Sequence, residues 1–336
     1  MDMAEFIKNA WYAACWSAEL TDSPMAKRVL CQDVALFRTE KGVAGAVEDR
    51  CPHRFAPLSL GKVCGENIVC GYHGMQFDCE GNCSSIPGQK NIPSRVRARA
   101  YPVVEKYDLI WLWTGDLEKT DPDLVPDVHW ITDPDWCSVT GTARYDCNWL
   151  LLVDNLIDLS HTTFVHQSTI GTDDVADTPV IAERKGDIVT VTREMKNTEP
   201  SKFYKRLRTF SGRVDRWQKI WLEPPSAVII DAGAVPTGTS DKTRGVDTRV
   251  ISILKPVDER SVDQLWAFSR DFALDDEKLN VEIEKSLIHT FGEDMAFLAG
   301  QQRNLERFPT DKMLNNSADA GVVLTRRVID EYLAVD

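Results

Sequence analysis

Two short segments, Cys51-Pro-His53 and Cys70-Gly-Tyr-His73, constrain this chain more than any other feature, and sixteen residues lie between them. Each carries one Cys and one His, so together they can hold a metal centre. Zinc also takes Cys₂His₂ sets, but zinc fingers pair Cys with Cys and His with His. The mixed arrangement suits a Rieske [2Fe–2S] cluster, in which two Cys hold one iron and two His hold the other. Neutral imidazole in place of thiolate raises the potential to about −150 to +300 mV, against about −400 mV for an all-Cys plant-type cluster. Such a centre takes electrons from a flavin or ferredoxin-like donor and passes them onward. Cys64, Cys79 and Cys83 lie nearby but break the pattern and read as ordinary thiols.

The cluster motif fills only part of the chain. Single cores stop growing near roughly 250–300 residues, so 336 residues imply two domains. A net charge of −13 argues against a nucleic-acid partner. No apolar run approaches the roughly 20 residues of a membrane span. The start, MDMAEFIKNAWY, lacks the basic and apolar regions of a signal peptide. The expected location is cytoplasmic, where the nine cysteines are thiols or metal ligands rather than disulfides.

The first third reads as short strands between turns: Arg28–Cys31, Val34–Arg38, Val43–Glu48 and Leu109–Trp113. The run from Thr120 to Trp136 holds three Pro and five Asp, a linker composition. The expected organisation is a small all-β domain over 1–120, a linker over 121–136 and a second domain over 137–336. In the second domain, Cys147 to Val165 reads as a helix. Strands are expected at Ile188–Arg193, Lys219–Leu222, Ala227–Asp231, Thr248–Leu254 and Gln264–Arg270, with helices at Asp275–Arg307 and Gly321–Leu333. An antiparallel sheet with helices on one side is an α+β arrangement.

Two of the six histidines, His161 and His166, sit in DNLIDLSHTTFVH. On one helix Asn155, Asp158 and His161 share a face, while His166 joins His161 only if the helix ends or distorts near Thr162–Thr163. Two His and a carboxylate form the facial triad of non-haem Fe(II) oxygenases. Leu287, Phe291, Asp294, Leu298 and Gln301 form one helical stripe. A carboxylate on such a stripe needs a partner, and a ferrous ion supplies one. On spacing alone both Asp294 and its neighbour Glu293 are open as the third ligand. His129 and His289 read as structural.

The chain resembles the Rieske non-haem iron oxygenases. CPHRFAPLSLG and CGYHGMQFDCEGN look like the two cluster loops of that family, and Asp158, His161 and His166 fit its Asp-x₂-His-x₄-His pattern. KNAWYAACW, LLVDNLIDLSHTTFVHQSTIG, EDMAFLAGQQRNLERFP and DAGVVLTRRV are similar to the vanillate O-demethylase oxygenases, with the dicamba demethylase oxygenase also similar. The resemblance implies Asp294 as third iron ligand, an N-terminal Rieske β domain, a C-terminal helix-grip catalytic domain and a homotrimer. It also implies that Asp158, beside His161, receives a hydrogen bond from His73 of the partner subunit and so joins the two metal centres. Asn155 and Asp158 are the catalytic candidates.

The implied reaction is O-demethylation of a methoxylated aromatic acid by O₂ to a phenol and formaldehyde. The resemblance is looser between Val180 and Asp275. Ile230, Asp231 and Ser252 are expected on the pocket wall from the strand positions. The chain holds no GxGxxG motif, so a separate NAD(P)H-dependent reductase of flavin or ferredoxin type must bring electrons. The rival reactions are aromatic-ring dihydroxylation and aryl-methyl hydroxylation. The rival of another class is a Rieske electron carrier, which needs only the first 120 or so residues.

Overall fold

The computed structural model describes residues 5–166 and 178–335. They cluster into two compact units: residues 6–125 with Lys255–Asp258, and residues 126–254 with 259–335. The end of the LLVDNLIDLSHTTFVHQSTIG segment, from 167 to 171, lies outside the described residues.

The first unit is built from strands and turns. It opens with β1 (Trp11–Trp16), β2 (Met25–Val29), β3 (Gln32–Arg38) and β4 (Ala44–Glu48). Short strands follow: β5 (Lys62–Cys64), β6 (Asn67–Val69), β7 (Gln76–Phe77) and β8 (Cys83–Ser85), then β9 (Val103–Lys106) and β10 (Leu109–Trp113). They form three antiparallel sheets, ordered β1-β10-β9, β2-β3-β4 and β5-β6-β7-β8. The strand expected at Arg28–Cys31 is instead a strand end and a turn. Val29 pairs with Gln32, and Leu30 and Cys31 take φ of 48° and 62°. A two-residue hairpin of this hand needs positive φ at both central residues, a demand that Leu and Cys do not advertise. The core gathers Ala35, Phe37, Val47, Leu58, Ile68, Met75 and Phe77 around Cys51 and Cys70.

The second unit is a seven-stranded antiparallel sheet with helices. Its elements are β11 (Cys137–Tyr145), α1 (Trp149–Ile157), α2 (Thr162–Val165), β12 (Ile181–Lys185), β13 (Ile188–Thr198), α3 (Lys202–Leu207), β14 (Val214–Glu223), β15 (Ala227–Pro236), β16 (Val246–Asp258), β17 (Ser261–Arg270), α4 (Glu277–Arg307) and α5 (Ala320–Val335). The sheet order is β11-β17-β16-β15-β14-β13-β12. The expected α+β class holds, with the strands longer than their apolar cores implied. Among the described residues no helix is long and apolar enough to cross a membrane.

Helix α4 starts where Asp276 Oδ1 accepts from Leu279 N at 3.0 Å. Its buried face runs through Ile283, Leu287, Phe291, Asp294, Leu298 and Gln302. The expected stripe ended at Gln301, which is exposed; after Leu298 the step is four, not three, and Gln302 accepts from Asn148 N at 2.9 Å. Phe291 packs its ring 5.8 Å from that of Trp266 on β17. Gly141 on β11 makes room for that indole: a Cβ there would lie 2.4 Å from Trp266 Cζ2.

The helix expected over Cys147–Val165 is two helices. Asp158 leaves α1 with extended backbone, φ −79° and ψ 118°, and its Oδ1 accepts from Ser160 N at 2.6 Å. That local bond offers the backbone an alternative to continuing the helix. Buried Arg193 on β13 donates to Leu159 O at 3.0 Å and fixes the break. Asp158 and His161 therefore do not share a helical face.

Candidate active site

Cys51 and Cys70 open two loops of the same build. Cys51 N donates to Ala56 O at 2.8 Å and Phe55 N to Cys51 O at 2.9 Å. Cys70 N donates to Met75 O at 2.8 Å and Gly74 N to Cys70 O at 2.9 Å. In each loop the fourth residue after the Cys has positive φ, Phe55 at 59° and Gly74 at 73°. Both thiols are buried, whereas His53 and His73 are exposed with ring centroids 4.6 Å apart. Burial pushes the Cys51 thiol up to about 11, against the His53 N–H and with the Cys70 thiol beside it. A ligating thiol must lose its proton, and an iron cluster would replace it. Two buried thiols and two exposed imidazoles fit the donor set of a Rieske cluster, in which two Cys would hold one iron and two His the other.

In the second unit the helix break brings together what the linear spacing separates. His161 Nε2 and His166 Nε2 lie 3.3 Å apart. Asp294 Oδ1, from α4, is 3.3 Å from His166 Nε2 and 3.8 Å from His161 Nε2. Asn155 Nδ2 donates to the same Asp294 oxygen at 3.1 Å. His161, His166 and Asp294 bring one ligand atom each within 4.8 Å of one another, and the set matches a non-haem iron triad.

Each imidazole has a carboxylate behind it. His166 Nδ1 lies 2.9 Å from Glu293 Oε2, and His161 Nδ1 lies 3.5 Å from Asp158 Oδ2, close enough for attraction but long for a hydrogen bond. Burial works against a charged His166, yet Asp294 and Glu293 outweigh it and raise its pKa. Burial likewise opposes ionisation of Asp158, but His161 and Ser160 hold its carboxyl below the usual range. The site thus attracts positive charge, as a ferrous ion would supply. Such carboxylates orient metal-bound imidazoles and fix their tautomer. Glu293, which spacing left open as a ligand, faces the far nitrogen of His166. Exposed His289 reaches Glu293 at 3.5 Å, and His129 lies 3.0 Å from Asp127.

A cavity opens over the triad and gives about 130 Å³ to the centre of a water-sized sphere. That is near the roughly 150 Å³ of an apolar cavity able to hold benzene. Its walls include Leu287 and Phe291 of α4, Phe203 and Tyr204 of α3, and Arg216, Gln218 and Ile220 of β14. Of the expected wall residues, Ile230 faces it. Asp231, the next residue on β15, points to the opposite face; its Oδ1 accepts from Trp217 Nε1 at 2.7 Å and Arg249 Nη1 at 3.0 Å. Ser252 follows Thr248 and Val250 on β16 but lies beyond the cavity, fully buried and bonded to Gln264 Nε2 at 2.7 Å. Sequence reading missed Arg216 and Gln218 because the strand expected at Lys219–Leu222 began too late. The signal was there: in RWQKIWLE they hold the same alternate positions as Ile220 and Leu222.

Comparison with known proteins agrees with both halves. Residues 145–334 match the vanillate O-demethylase oxygenase C-terminal domain and residues 10–102 the Rieske [2Fe–2S] domain. The chain is 38% identical to a putative toluene-4-sulfonate monooxygenase system iron-sulfur subunit of Comamonas testosteroni, over 98% of each chain. It is 36% identical to a vanillate O-demethylase oxygenase subunit of Pseudomonas sp. strain HR199, over 98% of this chain and 96% of that one. Dicamba monooxygenase bound to 3,6-dichlorosalicylic acid superposes with a TM-score of 0.95 at 31% identity, over 99% of each chain. The same enzyme with non-haem iron and dicamba superposes at 0.84, with 30% identity over 98% of each chain. The cofactors are accordingly a Rieske [2Fe–2S] cluster and a mononuclear iron. Similarity that runs the length of the chain and spans both sites decides the family: this protein belongs to the Rieske non-haem iron monooxygenases of the vanillate O-demethylase oxygenase type.

Proposed function

We propose that the protein removes the methyl group from a methoxylated aromatic acid, converting ArOCH₃, O₂, two electrons and two protons into ArOH, CH₂O and H₂O. The observation that carries this reading is the ring-sized cavity placed over His161, His166 and Asp294. When bound, the iron supplies O₂ activation, with electrons arriving through the cluster. Cys51, Cys70, His53 and His73 would hold that cluster, and His161, His166 and Asp294 the mononuclear iron.

The residues around the triad do the positioning. Glu293 and Asp158 fix the two imidazoles, Asn155 steadies the Asp294 oxygen, and Phe203, Ile230 and Phe291 exclude water and hold the ring. The relatives' names describe oxygenase subunits or components, which supports a separate reductase of flavin or ferredoxin type drawing on NAD(P)H. In this reading the chain assembles as a homotrimer in the cytoplasm. Asp158 then accepts from His73 of the partner subunit, and the electron crosses between chains.

The test is a panel of methoxybenzoates with a surrogate reductase. Formaldehyde and phenol should appear in equal amounts, with one O₂ consumed for each. A product that keeps its methoxy carbon and gains two hydroxyls would establish ring dihydroxylation instead. A second reading, hydroxylation of an aryl methyl group, gains support from the toluene-4-sulfonate relative. A benzylic alcohol from a methylated arene, with no formaldehyde from any methoxyarene, would establish it.

A further inference from the structure

From 81 to 104 the chain holds four basic residues, Lys90, Arg95, Arg97 and Arg99, and no acid, although acids outnumber bases 52 to 39 over its length. The unit that carries the four cluster ligands, residues 6–125 with Lys255–Asp258, has 15 basic and 16 acidic residues, whereas the rest of the chain has 24 and 36. Charge far from balance steers a protein partner before contact. A basic partner is therefore drawn toward the part of the chain without the cluster. An acidic partner is repelled there and finds its attraction on the unit that holds the cluster.

The fold gathers that charge on one side of an extended segment. Ala98 N donates to Gly81 O at 2.9 Å, Glu48 N to Arg99 O at 2.7 Å and Tyr101 N to Ala46 O at 3.0 Å. Side chains along such a backbone alternate. Ala98 is buried in the core that holds Cys51 and Cys70, with Val96 and Ala100 packed against it, while Arg95, Arg97 and Arg99 are exposed. Arg97 Nη2 donates to Glu80 O at 3.2 Å, and the Arg99 guanidinium lies 5.0 Å from the Tyr101 ring centre. Among the described residues none of these three arginines forms an ion pair.

Arg97, Arg99 and Tyr101 line a groove that gives about 850 Å³ to the centre of a water-sized sphere, against about 130 Å³ for the cavity over the triad. Val43 and Leu117, 53% and 65% exposed, also line it, and Glu80 is its one acid among the described residues. An apolar patch with a charged edge and this breadth suits a protein face rather than a single ring. We infer that the groove docks the acidic face of the iron–sulfur protein or domain that reduces the cluster. The step is one electron from the reduced donor to the oxidised Rieske cluster, with no bond formed or broken. Such encounters are small and steered by charge. In the proposed assembly His73 is engaged by Asp158 of the partner subunit, whereas the Arg95–Arg99 segment backs onto the core around Cys51 and Cys70. This deepens the proposed electron supply and rests on it for the existence of a separate donor.

The experiment uses the full chain loaded with both metals, and a plant-type [2Fe–2S] ferredoxin as the acidic probe, since its potential lies below the Rieske range. Stopped flow follows bleaching of the oxidised Rieske chromophore on mixing with reduced ferredoxin. The wild-type second-order rate should fall at least about tenfold between low and high salt, as steering between opposite charges does. Arg97→Gln combined with Arg99→Gln should slow it about tenfold at low salt and meet wild type at high salt. Arg54→Gln, beside His53, should leave the rate unchanged.

A wild-type rate indifferent to salt overturns the acidic partner, as does failure of ferredoxin to reduce the cluster at any salt. A groove variant that matches wild type at low salt overturns the groove, and so does equal slowing by Arg54→Gln, which would place docking on the imidazole side. The cluster potential is measured alongside; a shift in the groove variant large enough to account for its slower rate overturns docking as well. Because Arg99 packs on the Tyr101 ring, the double variant can lose its chromophore, and Arg97→Gln alone then decides by the same comparison. Single turnover of chemically pre-reduced enzyme reads formaldehyde with no donor present, so demethylation and docking stand or fall separately.

Discussion

Two adjacent carboxylates on α4, Glu293 and Asp294, should separate cleanly when each is neutralised. Asp294 Oδ1 faces Nε2 of both histidines, at 3.3 and 3.8 Å. Glu293 Oε2 lies 2.9 Å from Nδ1, on the other edge of the His166 ring. A metal on the Nε2 side is therefore open to Asp294, and Glu293 meets it only through the imidazole. Loss of a carboxylate behind a metal-bound His typically weakens metal binding by 10–100-fold, or about 1.4–2.8 kcal/mol. Glu293→Gln should fall in that range, since the amide can still hydrogen-bond but brings no charge. Asp294→Asn removes the anionic ligand and should exceed it, weakening Fe(II) by more than about 100-fold. The assay strips the mononuclear iron with a chelator and titrates Fe(II) back anaerobically, with Rieske absorbance as the check on the cluster. Glu293→Gln losing iron as completely as Asp294→Asn would refute this division of roles, and so would Asp294→Asn staying within tenfold of wild type.

Other substitutions separate the remaining parts. His161→Ala should keep the red-brown Rieske chromophore and lose turnover, whereas Cys51→Ser should lose the chromophore; bleaching by His161→Ala with mononuclear iron retained would reverse the assignment. Asp158→Asn should keep cluster, iron and assembly while slowing substrate-dependent reoxidation of the pre-reduced cluster by orders of magnitude. Stopped-flow traces matching wild type with both metals loaded would dismiss the bridging role. Gly141→Ala should lower stability by about 1–3 kcal/mol, as overpacking does, because the new Cβ meets the Trp266 ring that packs on Phe291; denaturant midpoints test this, and an unchanged midpoint would mean the indole moves at no cost.

Where residue type and spacing fix the chemistry, the sequence was informative. Cys51, His53, Cys70 and His73 name a cluster before any fold is known, and α4 showed itself through a 3.6-residue stripe carrying one acid. The departures come from interactions between distant segments. Nothing near Leu159 announces that Arg193, thirty-four residues on, will take its carbonyl. Leu30 and Cys31 read as strand because a turn residue's φ is set by the hairpin register, not by its own preference. Asp231 and Ser252 were placed by approximate strand position: a shift of one residue sends Asp231 to the other face, whereas Ser252 keeps the parity of Thr248 and Val250 but lies past the end of the cavity. Arg216 and Gln218 were hidden for a related reason: a charged or polar residue on the inward face of a strand looks like the end of the strand until its neighbours are seen.

The break after α1 explains why two histidines five residues apart can serve one metal. On a continuous helix that spacing turns them about 140° from each other, too far for a shared ligand position. Ending the helix at Asp158 and restarting it at Thr162 lets both Nε2 atoms converge to 3.3 Å. Asp158 takes part in both effects. Its Oδ1 ends the helix through Ser160 N, and its Oδ2 faces His161 Nδ1. An asparagine keeps an oxygen for the Ser160 bond and gives up only the charge. Asp158→Asn can therefore test electron transfer without dismantling the geometry, whereas Asp158→Ala would lose the turn that forms the site and would confuse the two.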